Sequence, residues 1–122
     1  MEEIWRPIKD YEKLYLISNL GNVFSIKRKR NLKVIDSHHG YKRIQLYKNG
    51  KFITCALHRL VANAFVENPH QYNEINHTDE NPSNNIANNL EWCDRLYNIH
   101  FGDRLQKNVS KSCKMQNQWN NN

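Results

Sequence analysis

The chain has 122 residues with 18 Lys and Arg against 12 Asp and Glu; its formal charge of +6 favours polyanionic partners, and its length suits one domain with a modest core. Its three cysteines, Cys55, Cys93 and Cys113, are odd in number and lack a paired-ligand spacing, which argues against a disulfide framework and against a structural zinc. The opening Met-Glu-Glu-Ile-Trp has no apolar signal core, and no run approaches the roughly 20 apolar residues that span a bilayer, so a cytoplasmic location and no membrane partner are expected.

Residues 4–26 read as turns and short strands. Tyr15-Leu16-Ile17 and Val23-Phe24-Ser25-Ile26 are the strand candidates, and Ser18-Asn19-Leu20-Gly21-Asn22 reverses the chain between them, with Gly21 free to take a positive φ. The basic run Lys27, Arg28, Lys29, Arg30 and Lys33 follows at once, where the end of the hairpin presents it. Lys42, Arg43, Lys48 and Lys51 continue it, with Asp36 the one acid between 26 and 51. A solvated charged face is the plain alternative; the clustering favours phosphate contacts.

Further strands are expected at Tyr41–Tyr47 and Phe52–Cys55, joined through Asn49-Gly50, the strongest short hairpin signal. Alternation puts Ile44 and Leu46 on a core face and leaves Arg43, Gln45 and Tyr47 available to a ligand. At Leu57 the period changes. Leu57, Leu60, Val61, Ala64 and Phe65 recur at three- and four-residue steps, which predicts one helical face, with a stop near Asn68 ahead of Pro69. A short strand at Glu74–Ile75, a polar loop 76–88, a returning strand Leu90–Cys93 and a short helix capped by Asp94 complete the frame. Beyond Gly102, Arg104, Lys107, Lys111 and Lys114 are spaced for one face of a basic helix, and residues after 115 read as a tail.

Residues 76–98 concentrate the chemistry. Asn76-His77-Thr78-Asp79 leads into an Asn-dense loop, then Asn89-Leu90-Glu91-Trp92 and Asn98. Phosphodiester hydrolysis needs a base near neutrality, which an imidazole supplies, and a divalent ion to offset charge on the phosphate and leaving oxygen. His77 suits the first role. Carboxamide and carboxylate oxygens suit Mg²⁺ or Mn²⁺, and pairing of the two strands brings Asn76, His77 and Asn98 to one end. Asn84, Asn85 and Asn88 read as turn formers, and Trp92 as core.

These elements resemble the HNH endonucleases of the phage and intron-encoded homing type, whose pattern is a His-Arg-Leu-Val helix, then Asn-His-x-Asp-Gly, then Asn-Leu-Glu-Trp. Here they stand as His58-Arg59-Leu60-Val61, Asn76-His77-Thr78-Asp79-Glu80 and Asn89-Leu90-Glu91-Trp92. Ile4-Trp5-Arg6-Pro7-Ile8 with Tyr15–Val23 is similar to the small DNA-associated module placed ahead of such nucleases, so the likeness runs over residues 4–100. The resemblance implies a ββα-metal site with His77 as general base and Asn98 as a metal ligand. It also implies that Asn76 holds the metal where some members carry Asp. Asn89, the middle Asn of the motif, would then serve catalysis by securing the loop and orienting His77, with Asp79 and His58 supporting the site. Glu80 stands at the usual Gly position, where a positive backbone angle would strain it.

The expected fold class is α+β: small antiparallel β elements, a central helix and a C-terminal ββα-metal motif. Residues 1–55 form the DNA-associated module, 56–102 the nuclease motif and 103–122 a basic, Asn-rich extension. The expected activity is cleavage or nicking of double-stranded DNA with one Mg²⁺ or Mn²⁺, leaving 5′-phosphate and 3′-hydroxyl ends. Lys27, Arg28, Lys29, Arg30, Lys33, Lys42, Arg43, Gln45 and Tyr47 are the expected DNA contacts. The rival is an inactive HNH-like DNA-binding module, which Asn76 and Glu80 keep open. The short extension leaves little further recognition surface, which a homodimer would supply.

Overall fold

The computed structural model describes residues 2–96. Its first sheet is antiparallel, with β1 (Trp5–Pro7), β2 (Tyr15–Ser18), β3 (Val23–Ser25) and β4 (Arg30–Asn31) paired in chain order. Pro7 is tolerated because β1 is an edge strand. Ile17 and Val23 face inward across from each other, and the turn joining β2 to β3 closes through Gly21 at φ 88°. Ser18 Oγ satisfies the amides of Leu20 and Asn22 at 3.2 and 3.1 Å. Strand β3 stops at Ser25, one residue short of the expected Ile26, because Ser25 Oγ takes the Arg28 amide (3.2 Å) and Ser25 O takes that of Lys29 (2.7 Å) in a turn. Strands β1 and β4 carry no sequence pattern of their own; pairing with β2 and β3 orders them.

The second sheet runs β5 (Ile35–Asp36), β6 (Lys42–Lys48) and β7 (Lys51–Ala56), again antiparallel. Asn49 and Gly50, at φ 55° and 76°, make the two-residue turn with both angles positive that the right-handed strand twist favours. Ile44 and Leu46 are fully buried, whereas Arg43 and Tyr47 are exposed and Gln45 half-buried, as the alternation predicts.

Helix α1 (Leu57–Phe65) follows β7 without a break and buries Leu57, Val61 and Ala62, with Leu60, Ala64 and Phe65 partly covered. It ends three residues before the expected stop. Val66 is extended and its carbonyl is taken by Trp92 Nε1 at 3.1 Å, while the Asn68 side chain bonds both the N–H and the C=O of Tyr72. That local turn competes with helix continuation. Strands β8 (Glu74–His77) and β9 (Leu90–Cys93) then pair antiparallel in the register Asn76↔Glu91 and His77↔Leu90. Residues 95 and 96 begin a helical turn; the remaining residues expected in that helix, Asn98 among them, and the basic extension lie outside the described residues.

The sheets, the helix and the β8–β9 pair share one core. Ile8, just after β1, with Tyr15, Ile17 and Val23 of the first sheet meets Ile44 and Leu46 from the second, Leu57, Val61 and Ala62 from α1, and Ile75, Leu90 and Trp92 from β8 and β9. Removing one of the fully buried aliphatics, Ile17 or Ile44, costs roughly 2–5 kcal/mol by transfer and cavity terms. The strands that hold the polar site are therefore anchored by the same apolar cluster that holds the N-terminal sheet. No helix among the described residues is long and apolar enough to cross a membrane.

Candidate active site

Ile75 faces inward from β8 beside Trp92 of β9, and the strand carries on to Asn76 and His77, both buried at the mouth of the 78–89 loop. The loop is closed by its own polar groups. Thr78 N–H reaches Asn89 O at 2.8 Å, and Thr78 Oγ1 and Asp79 N–H donate to Asn89 Oδ1 at 2.8 and 3.1 Å. Asn89 Nδ2 donates to Asp79 Oδ1 (3.0 Å) and to Asn84 O (2.8 Å), so every hydrogen-bonding position of this buried carboxamide is spent inside the loop. Asp79 adds bonds from Asn84 Nδ2 and the Asn81 amide, both 2.8 Å. The Asn84 carboxamide holds the Asp79 carboxyl below the usual carboxylate range, with help from the Asn81 amide, Asn89 and His77. Glu80 adopts φ 61°, the left-handed conformation for which glycine is the unstrained choice, and its amide closes a turn on His77 O at 2.8 Å.

His77 Nε2 lies 2.9 Å from Asn85 Oδ1, and both side chains are buried. The His77 ring packs against two others, His58 at 5.1 Å and Tyr41 at 6.0 Å between centroids. His58, in the first turn of α1, has an Nδ1 that is buried without a hydrogen-bond partner among the described residues. Burial, then the nearby His77, Arg59 and Arg43, push its pKa down to about 4, so it stands neutral beside His77 at physiological pH. Asn76 Nδ2 donates to Glu91 Oε1 at 3.1 Å across the strand pair. Its Oδ1 has no hydrogen-bond donor among the described residues, and a hard cation takes that kind of oxygen. No group of three or more His, Cys, Asp and Glu side chains gathers as a metal site among the described residues.

The fold thus brings together Asn76, His77, Asp79, Asn89 and His58, while Asn98 lies outside the described residues. Three participants were not foreseen. Asn85, read as a turn former, bonds His77; Tyr41, read as the first residue of a strand, packs its ring against His58 and His77; Glu91, read only as a motif letter, places a carboxylate on Asn76. Cross-strand register from Leu90 back to His77 would have exposed Glu91, whereas no periodicity points to Asn85.

The basic residues form a second feature. Lys27, Arg28, Lys29 and Arg30 are exposed on the turn from β3 to β4, and Lys33 is exposed just after it. Lys27 and Arg28 line an open groove of about 460 Å³ with Tyr47 and Lys48, and Arg28, Lys33, Gln45 and Tyr47 line the adjoining one. Lys42 is engaged with Asp36, which offsets part of its charge. Strand β6 therefore runs from the groove at Tyr47 to Arg43, whose charge is felt by His58 at the site. Phe52 packs beside Tyr47 with the rings tilted at 46° and their centroids 5.4 Å apart, and enlarges the exposed aromatic surface there.

Residues 3–47 match the family model described as the NUMOD4 motif. DNA endonuclease I-HmuI of Bacillus phage SP01 is 41% identical over 118 residues, which cover 93% of this chain and 68% of that protein. H-N-H endonuclease F-TflII of Escherichia phage T5 is 35% identical over 94 residues, 72% of this chain and 46% of the relative. A solved structure, described as DNA binding and cleavage by the HNH homing endonuclease I-HmuI, superposes with a TM-score of 0.77 at 38% identity over 96% of this chain, which spans 65% of the solved chain. With an α+β fold of antiparallel strands around helix α1 among the described residues, and that identity over nearly its whole length, the chain belongs to the HNH endonuclease family.

Proposed function

We propose that this protein hydrolyses or nicks double-stranded DNA with the help of one divalent ion, leaving 5′-phosphate and 3′-hydroxyl ends. The observation that carries this reading is the placement of buried His77 beside Asn76 at the end of β8, its ring against Tyr41 just ahead of β6 and against His58, which feels the charge of Arg43. Strand β6 is on the order of 20 Å long from Lys42 to Lys48. The exposed run Lys27–Arg30 with Lys33 would hold backbone phosphates at its far end, and Arg43, Gln45 and Tyr47 would face a groove.

The donor chemistry fits a hard cation. Asn76 Oδ1 is uncommitted among the described residues, and Glu91 brings negative charge to the neighbouring position, which offsets the neutral carboxamide where some relatives hold Asp. Asn98 would supply the second oxygen, as the family pattern implies. Mg²⁺ or Mn²⁺, when bound, neutralises charge on the phosphate and on the leaving oxygen. His77 accepts the proton of the attacking water at its free ring nitrogen, and Asn89 with Asp79 keeps the loop around it from opening. His58, neutral and packed on the His77 ring, excludes water from that side without adding a charge.

Supercoiled plasmid incubated with the purified chain, with and without Mg²⁺ or Mn²⁺, tests the reading. Nicked or linear product that requires the ion is expected, and His77→Ala should lower the rate by at least about 100-fold while DNA binding persists. Binding without cleavage under all conditions would instead make the chain an inactive DNA-binding module.

A further inference from the structure

Asn85 sits eight residues beyond His77 in the chain, yet its carboxamide oxygen lies 2.9 Å from His77 Nε2 in a buried contact. Its position is set by a distant segment. Gly21, at φ 88° in the turn between β2 and β3, lies so close that a Cβ there would stand 3.2 Å from Asn85 O and 3.4 Å from Asn85 Cβ. Two residues on, the Ala87 amide donates to Asn19 O at 2.8 Å. Asn19 is itself fixed, its Oδ1 accepting the Ile4 amide at 2.7 Å and its Nδ2 donating to Glu2 O at 3.1 Å. The turn between β2 and β3 thus meets the loop that carries the partner of His77 through a backbone hydrogen bond and a close approach.

An amide oxygen only accepts, so the imidazole nitrogen facing it must carry the proton, and the lone pair of the neutral ring falls on the other nitrogen. We propose that Asn85, seated against Gly21 and Asn19 of the β2–β3 turn, is the positioning residue of His77. It fixes the Nε2–H form and leaves Nδ1 as the basic nitrogen. For its catalytic consequence this rests on the nuclease reading. It also gives the N-terminal sheet a part in the chemistry: the turn between β2 and β3 meets the loop of the base through Asn19, Gly21 and Asn85.

The test is the ring tautomer of His77 in ¹⁵N-labelled protein at pH 8, read from two-bond ¹H–¹⁵N correlations and assigned by the signals missing in His77→Ala. The wild-type ring should be Nε2–H alone. Asn85→Leu, close to Asn in shape but without an acceptor, should give a mixture of both forms, and Asn85→Asp, which keeps the acceptor, should restore Nε2–H. Asn85→Ala replaces the Leu variant should that one fail to fold. Gly21→Ala, whose added Cβ would stand 3.2 Å from Asn85 O and strain a backbone at φ 88°, should shift Asn85 and also yield a mixture. In single-turnover plasmid cleavage with Mg²⁺, Asn85→Leu should be slower by about 10–100-fold, with plasmid affinity near wild type. A wild-type ring protonated on Nδ1, or an Asn85→Leu ring that stays wholly Nε2–H, overturns the proposal. A Gly21→Ala ring unchanged from wild type overturns the part played by the turn. If the wild-type protein cuts no DNA, the nuclease reading fails, and the tautomer measurement still decides the role of Asn85.

Discussion

Asn89 and Asp79 hold each other through two bonds in opposite senses: the Asp79 amide donates to Asn89 Oδ1 at 3.1 Å, and Asn89 Nδ2 donates to Asp79 Oδ1 at 3.0 Å. The pair ties the second and last residues of the 78–89 loop together, so His77 is followed by a closed ring of polar contacts and not by a free loop. No valence of the Asn89 carboxamide remains for an ion. Asn89→Ala should therefore slow cleavage by about 10–100-fold, the scale of losses from groups that orient the reacting ones, while Mn²⁺ binding measured by calorimetry persists. Loss of the ion from the variant would place Asn89 on the metal and contradict the loop-bracing role.

Glu80 carries the clearest local strain in the same loop. Its φ of 61° is one that a side chain with a Cβ adopts at a cost of roughly 1 kcal/mol relative to glycine. Glu80 is exposed, so little packing is lost on removing its side chain. Glu80→Gly should raise the stability in urea by up to about 1 kcal/mol, read from the unfolding midpoint at constant slope. A destabilised variant would mean that the Glu80 side chain supplies contacts that outweigh its backbone strain.

Much of this frame was legible in the sequence, and the parts that were not share a physical cause. The hairpins at Gly21 and Asn49-Gly50, the inward Ile44 and Leu46, and the helical face of Leu57, Val61 and Ala64 all follow from local turn chemistry and period. The site strands were legible from motif order together with Ile75 and Trp92. Strands β4 and β5 were not, because two exposed residues paired on a neighbour leave no periodic trace. The Asn85–His77 bond was invisible for a related reason. Asn84, Asn85 and Asn88 are equally good turn residues, and which one faces the imidazole is decided by contacts across the fold: Asn84 is taken by Asp79, and Asn85 lies close to Gly21 of the N-terminal sheet.

His58 predicts a pH dependence of stability. Its folded pKa, about 4, lies below the ordinary histidine value near 6.5, so the unfolded chain binds the proton more readily. Stability should be full above about pH 6.5 and fall as pH drops toward 4, by on the order of 1–2 kcal/mol after discounting for the solvent-facing part of the ring. The signature is a difference: thermal unfolding of wild type and His58→Gln compared from pH 7 to pH 4, with the variant losing less. Parallel curves over that window would mean that the folded protein accommodates a charged His58.

In the proposed metal site, Asn76 and Glu91 set the charge offered to an ion. Asn76→Asp puts a carboxylate where the uncommitted oxygen now stands, and Mn²⁺ affinity should rise, by about tenfold for each 1.4 kcal/mol gained. Glu91→Gln removes the neighbouring charge and should weaken Mn²⁺ binding in the wild-type background. The two changes share one site, so their effects should not add. Calorimetric titration of the single and double variants reads this directly, and strict additivity would separate Glu91 from the ion.

The turn from β3 to β4 offers four exposed cations in sequence, with no acid beside them. Contacts of that kind bind phosphate oxygens whatever the base sequence, and each one lost lowers the slope of log affinity against log salt by about one. Replacing Lys27, Arg28, Lys29 and Arg30 together by Gln should weaken binding to unrelated duplexes by similar factors and flatten the slope by roughly the number of contacts made. Arg43→Gln, by contrast, removes a side chain from the outer face of β6, where a groove contact would affect some sequences more than others. Fluorescence anisotropy on several duplexes from 50 to 300 mM salt separates the two behaviours. A loss confined to one duplex in the fourfold variant, with its salt slope unchanged, would show that the turn reads bases and that the phosphate-binding surface lies elsewhere.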